Sequence, residues 1–101
     1  MTGYRVKMIV KEVRGNCALG YKPGDVFEVE RFYIQEHQQK ICLHLLIGVS
    51  TLLAPFLKGV SARNLGIGRE DDVGYVQCPD PGKPHTDGGT VVLELRRESI
   101  S

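Results

Sequence analysis

The sequence has almost no excess charge of either sign. Thirteen Lys and Arg stand against twelve Asp and Glu, a formal net charge of +1. A protein whose main work is gripping nucleic acid carries a strongly basic face, so nucleic acid is not an expected partner. Long apolar runs are missing too. The most apolar stretch, Ile41 to Leu57, is shorter than the ~20 residues that cross a bilayer, and His44, Ser50, Thr51 and Pro55 interrupt it. No membrane partner is expected. The first ten residues hold Arg5 and Lys7 and lack the apolar core of a secretory signal. Cysteine is scarce and odd in number, with Cys17, Cys42 and Cys78 and no Cys-x-x-Cys. Without an export signal, a disulfide framework is not expected, and the expected setting is the reducing cytoplasm.

What is present fits one domain over residues 1–101, with no internal repeat and no low-complexity segment. A chain of this size buries about two-thirds of the surface its unfolded form exposes, enough for one modest core.

Tyr4 to Val13 alternates at the period of a half-buried strand. Tyr4, Val6, Met8 and Val10 share one face, and Arg5, Lys7 and Lys11 share the other. Gly20 to Asp25 is a turn, where Pro23 pre-sets its own φ and Gly24 accepts a positive one, as a type II turn requires. Val26 to Tyr33 reads as a second strand with Phe27 and Val29 inward and Glu28 and Glu30 in water. Ile41 to Lys58 is the expected helix. Its core stripe is Cys42, Leu46, Val49, Leu53 and Phe56. Leu43, Ile47, Ala54 and Leu57 make the opposite side apolar as well, which predicts a homodimer through the 41–58 helix. Pro55 and Gly59 mark its end. Val60 to Asp72 is irregular. Val73 to Cys78 is a third strand, and the prolines of Pro79 to Pro84 make a loop. Thr90 to Arg96 is a fourth strand, with Val91, Leu93 and Leu95 inward and Glu94 and Arg96 outward. The fold class is α+β, a small antiparallel sheet in β-β-α-β-β order packed against one apolar helix.

The chemistry centres on the cysteines. Thiolates bind borderline metals, and structural zinc takes four ligands. Cys17, Cys42 and Cys78 supply three, and His44 or His37 supplies a fourth, so zinc or iron is the expected metal class. A Cys42 near the helix start has its thiolate favoured by the helix dipole. The competing account is packing, since free cysteine is commonly buried as a small hydrophobe. Cys42, on the core stripe, is its best candidate. A cysteine nucleophile needs a base such as His37, His44 or His85. The Gly20–Asp25 and Gly66–Gly68 segments lack phosphate-loop spacing, and the acidic run Glu70 to Asp72 lacks calcium-loop spacing. Arg5, Lys7 and Lys11 have no interleaved aromatics for base stacking.

Taken together, Cys17-x-x-Gly20-Tyr21-x-x-Gly24-Asp25-x-Phe27, Ile41-Cys42 before an apolar helix, and Cys78-Pro79-Asp80-Pro81 before a last strand resemble a family of small prokaryotic proteins of about this length. That resemblance spans nearly the whole chain and implies a cysteine at each of the three positions, but no activity. Gln38-Gln39-Lys40 stands where the family has glycine-rich sequence, and the loop from Pro81 through Gly89 is longer than the family's. The expected function is a small binding or accessory module whose site is Cys17, Cys42 and Cys78, with His44 and Asp80 beside them. The alternatives are a thiol- or metal-dependent enzyme acting on a small molecule and a weak nucleic-acid-binding module.

Overall fold

The structure is a computed structural model and describes residues 3–17, 19–31, 33–35 and 40–100. Five strands and one helix occur among them: β1 Gly3–Gly15, β2 Val26–Glu30, β3 Tyr33–Ile34, α1 Leu43–Leu57, β4 Val73–Gln77 and β5 Gly89–Ile100. The strands form one open antiparallel sheet in the order β3-β2-β1-β5-β4. The helix lies on one face, so the α+β class is as expected. No helix of the described residues is long and apolar enough to cross a membrane.

The alternation of β1 has its predicted consequence. Val6, Met8 and Val10 are buried, and Lys7 and Lys11 are exposed. Pairing then passes from Val10↔Leu93 to Glu12↔Val92, leaving Lys11 as a bulge. The extra residue changes the parity of the strand. Val13 therefore returns to the core side, and the chain leaves the sheet toward Cys17 with its inner face preserved.

Two expectations about the strands are corrected. The second strand ends at Glu30 and not at Tyr33, because Arg31 takes a positive φ of 55° and gives its N–H to the Tyr4 carbonyl at 2.9 Å. The chain then doubles back as the short edge strand β3. Glu94, expected in water, is only 3% exposed. Arg96 and the Tyr75 hydroxyl donate to its carboxylate at 2.6 and 3.0 Å, and the Lys11 ammonium lies 3.7 Å away. Long side chains from three strands roof the carboxylate, which alternation alone does not reveal.

The helix is phased differently from the expectation. Leu45, Val49, Leu53 and Phe56 form the buried stripe. Cys42 has extended backbone angles and is the N-cap, so it lies outside the helical phase, and Leu45 takes the place assigned to Cys42 and Leu46. Pro55 sits within the last turn, and Gly59, at φ 98°, closes the end. The outer edge of β4 is covered by the 61–67 loop, where the Tyr75 N–H donates to the Ile67 carbonyl at 2.7 Å. That contact removes one invitation to edge pairing.

Candidate functional site

Three chain segments meet at the end of the sheet next to the helix start. The first leaves β1 at Gly15, paired with Gly89 of β5, and turns at once. The Gly20 N–H donates to the Cys17 carbonyl at 3.0 Å, and Gly20 has a φ of 70°, which only glycine adopts at little cost. The next turn has the predicted chemistry. Gly24 has a φ of 99°, and the Asp25 N–H donates to the Lys22 carbonyl at 3.0 Å.

Tyr21 lies between these turns and is 4% exposed. Its ring meets Phe27 edge-on with centroids 5.3 Å apart. Its hydroxyl donates to the Lys40 carbonyl at 2.7 Å and accepts the Cys42 N–H at 2.6 Å. One side chain thus ties the Cys17 loop to the start of α1. Burial holds this hydroxyl above the usual tyrosine range. The Cys42 amide bond opposes that shift, and negative charge at Cys42 and Cys17 adds to it.

The second segment is the helix start itself. Cys42 makes no side-chain capping bond, and the first turn of α1 holds no acidic residue. The positive end of the helix therefore faces the site without an acidic side chain of its own turn.

The third segment follows β4. Cys78 is 8% exposed, and its N–H donates to the Val91 carbonyl at 2.8 Å. Pro79 packs against Gly48 of α1, where a Cβ would lie 2.8 Å from the proline Cδ. Gly48 is therefore the residue that lets the Cys78–Pro79 turn reach the helix. Asp80 organises the loop beyond. Its carboxylate accepts the Gly82 N–H at 2.9 Å and the Thr86 hydroxyl, and its carbonyl accepts the Thr90 hydroxyl. The Thr86 and Gly82 bonds, in that order, hold the Asp80 carboxyl below the usual carboxylate range against a smaller opposing effect of burial.

These segments enclose one cavity of about 90 Å³, whose wall includes Cys17, Cys42, Cys78, His44 and Asp80. All five residues singled out around the candidate site thus reach the same space. Tyr21, Leu19, Leu45, Val91, Gly88 and Gly89 complete the wall between them. Of these side chains, only Tyr21 had a signal in the sequence, as the residue after Gly20 in the Cys17-x-x-Gly20-Tyr21 pattern. His85 lies in the exposed loop and is not part of the wall, and His37 falls outside the described residues.

The metal expectation has a specific geometric requirement, and the described residues do not meet it as they stand. No group of three or more His, Cys, Asp or Glu among them is set to hold one ion. Cys17, Cys42, Cys78 and His44 share a wall without converging on a point. The Asp80 carboxylate already accepts two hydrogen bonds.

The other polar clusters have internal partners. Arg5 donates to Glu30 and Glu98, and Lys11 faces Glu94. In the acidic loop, Asp71 accepts the Ser61 hydroxyl and Asp72 accepts Arg97. No protein-family profile, curated protein or solved structure matches this chain.

Proposed function

We propose that the chain is a small binding module and that the cavity walled by Cys17, Cys42 and Cys78 is its ligand site. One observation carries this reading: three cysteines from three separate segments line the same small space. Packing accounts well for Cys78, which belongs to the buried core. Cys17 and Cys42 also pack against that core, but they are only partly buried and keep surface at the cavity. The bound species is a small molecule recognised through sulfur. Zinc or iron would require the Cys17, Cys42 and Cys78 thiolates to move together, with His44 of the same wall as a fourth donor. Kinship with the small prokaryotic family of the same cysteine pattern, and a reducing cytoplasmic setting, belong to this proposal.

Alkylation of the folded chain with iodoacetamide, read for each cysteine by peptide mass analysis, is the test. Cys17 and Cys42 react under native conditions, and Cys78 reacts slowest. If all three stay inert until the chain unfolds, the cysteines are packing and the reading fails.

We also infer that the exposed side of α1 meets a second copy of itself. Leu43 and Ile47 are 66% and 62% exposed and lie one turn apart. From Leu43 to Leu57 the helix has no Asp, Glu, Lys or Arg, and its one histidine, His44, belongs to the cavity wall. A two-fold axis brings each interface residue near its own copy or that copy's neighbours, and this face does so without like-charge repulsion. Ser50, Thr51 and Ala54 continue the same side with small residues, which allow close approach of the two helices.

A further inference from the structure

Building on the reading of the cavity as a thiol site, we propose that Cys17 and Cys42 form a redox pair that exchanges with low-molecular-weight disulfides. The pair closes into a Cys17–Cys42 disulfide and leaves Cys78 reduced.

The pairing rests first on the tether. Cys17 is joined to Gly20 by a turn bond of 3.0 Å, and the next residue, Tyr21, holds Lys40 and Cys42 by bonds of 2.7 and 2.6 Å. Cys42 gives its N–H to that hydroxyl and Cys17 lies in the wall of the same cavity, so the tether holds both segments at one space. Negative charge on either sulfur raises the Tyr21 hydroxyl, as two nearby groups would. Access separates the three thiols. Cys17 and Cys42 are half-exposed, while Cys78 is 8% exposed and belongs to the core. A redox pair needs two thiols near each other and does not need the three-donor geometry that the described residues lack. The cavity, about 90 Å³, has room for water-sized groups.

The exchange balances without a cofactor. The Cys42 thiolate attacks one sulfur of a small disulfide, forming a mixed disulfide and releasing one small thiolate. The Cys17 thiolate then attacks the Cys42 sulfur, forming the Cys17–Cys42 bond and releasing the second. Two protein thiols are oxidised, one small disulfide is reduced to two thiols, and the two protons end on those thiols. The new bond ties the Cys17 loop to the helix start and shuts the cavity. In a reducing compartment such a bond is transient, as expected of a sensing or exchanging pair.

Incubation of the folded chain with hydroxyethyl disulfide tests this, with the products mapped by peptide mass analysis. The expected product is a Cys17–Cys42 disulfide that persists in Cys78→Ser and is lost in Cys17→Ser and in Cys42→Ser. Tyr21 acts as a positioning residue. Tyr21→Phe, which removes both hydroxyl bonds, slows ring closure about tenfold or more relative to the first attack. Stable mixed disulfides that never close, or a bond that includes Cys78, would overturn the pair. If iodoacetamide reaches Cys17 and Cys42 but no Cys17–Cys42 bond forms, the redox pair fails and the thiol site stands. If neither thiol reacts with either reagent, both readings fail.

Discussion

The Arg97 side chain is 4% exposed and lies between the Phe56 and Tyr4 rings, 4.3 and 5.0 Å from their centroids. Its guanidinium donates to the Phe56, Val60 and Asp71 carbonyls and to the Asp72 carboxylate. One planar fork thus fastens the end of α1 and the 60–72 loop onto β5. A lysine ammonium cannot reproduce that fork. Arg97→Lys is expected to cost about 3 kcal/mol through carbonyls left without a donor, measured as a drop in urea midpoint. A change below about 0.5 kcal/mol would mean the fork is incidental. This role is not legible in the sequence, where Arg96 and Arg97 look like interchangeable strand charges. The same limit applies at the site. Cys17, Cys42 and Cys78 are visible as candidates, but their meeting depends on the Tyr21 hydroxyl bridge and on the close approaches at Gly48 and Gly89, contacts between distant segments that no local pattern reveals.

At the scale of elements, alternation gave the inner faces of β1, β2 and β5 because a strand's side chains change side at every residue. It failed where that rule is broken or hidden. The Lys11 bulge changes parity, Arg31 at positive φ ends β2 early, and Glu94 is roofed by its neighbours. The helix was legible as an element. Its phase was not, because the start lies at Leu43 and Cys42 is the cap. Cys42 is then both packed against the core and part of the cavity wall. The outward side of α1 then makes a prediction of its own. Sedimentation at high micromolar concentration should show a dimer, and the double substitution Leu43→Glu, Ile47→Glu should return it to a folded monomer. A wild-type chain that sediments as a monomer throughout would remove the second copy from this face.

Over an apolar core, three carboxylates are held in bonded, ionised form. The Tyr33 hydroxyl and Arg5 hold the Glu30 carboxyl below the usual range. Burial pushes Glu94 up, but hydrogen bonds from Arg96 and Tyr75, with the charges of Arg96 and Lys11, outweigh it and leave that carboxyl low. Asp80 is low as well. Each group binds its proton less readily folded than unfolded. Their stabilisation is therefore complete above the unfolded carboxylate range, about pH 4, and is lost as pH falls through the lower folded values. The urea midpoint should be flat near neutrality and fall below about pH 4, with a weaker fall in Glu94→Gln. A midpoint that holds or rises on acidification would contradict these assignments. Because Asp80 organises the Cys78–Gly88 wall, native alkylation of Cys78 should quicken over the same acid range once corrected for thiolate content.

The central claim is that Cys17, Cys42 and Cys78 open onto one shared space, and the most direct measurement is the number of adducts that space admits. The folded chain, held in excess N-phenylmaleimide and read by intact mass, should stop at a single adduct divided between Cys17 and Cys42. The adduct's phenyl and imide rings exceed a cavity of about 90 Å³ and cover its mouth, which shields the remaining thiols. The unfolded chain should take three, one for each cysteine. Two or three adducts on a chain that is still folded would mean that the thiols occupy separate places and share no site.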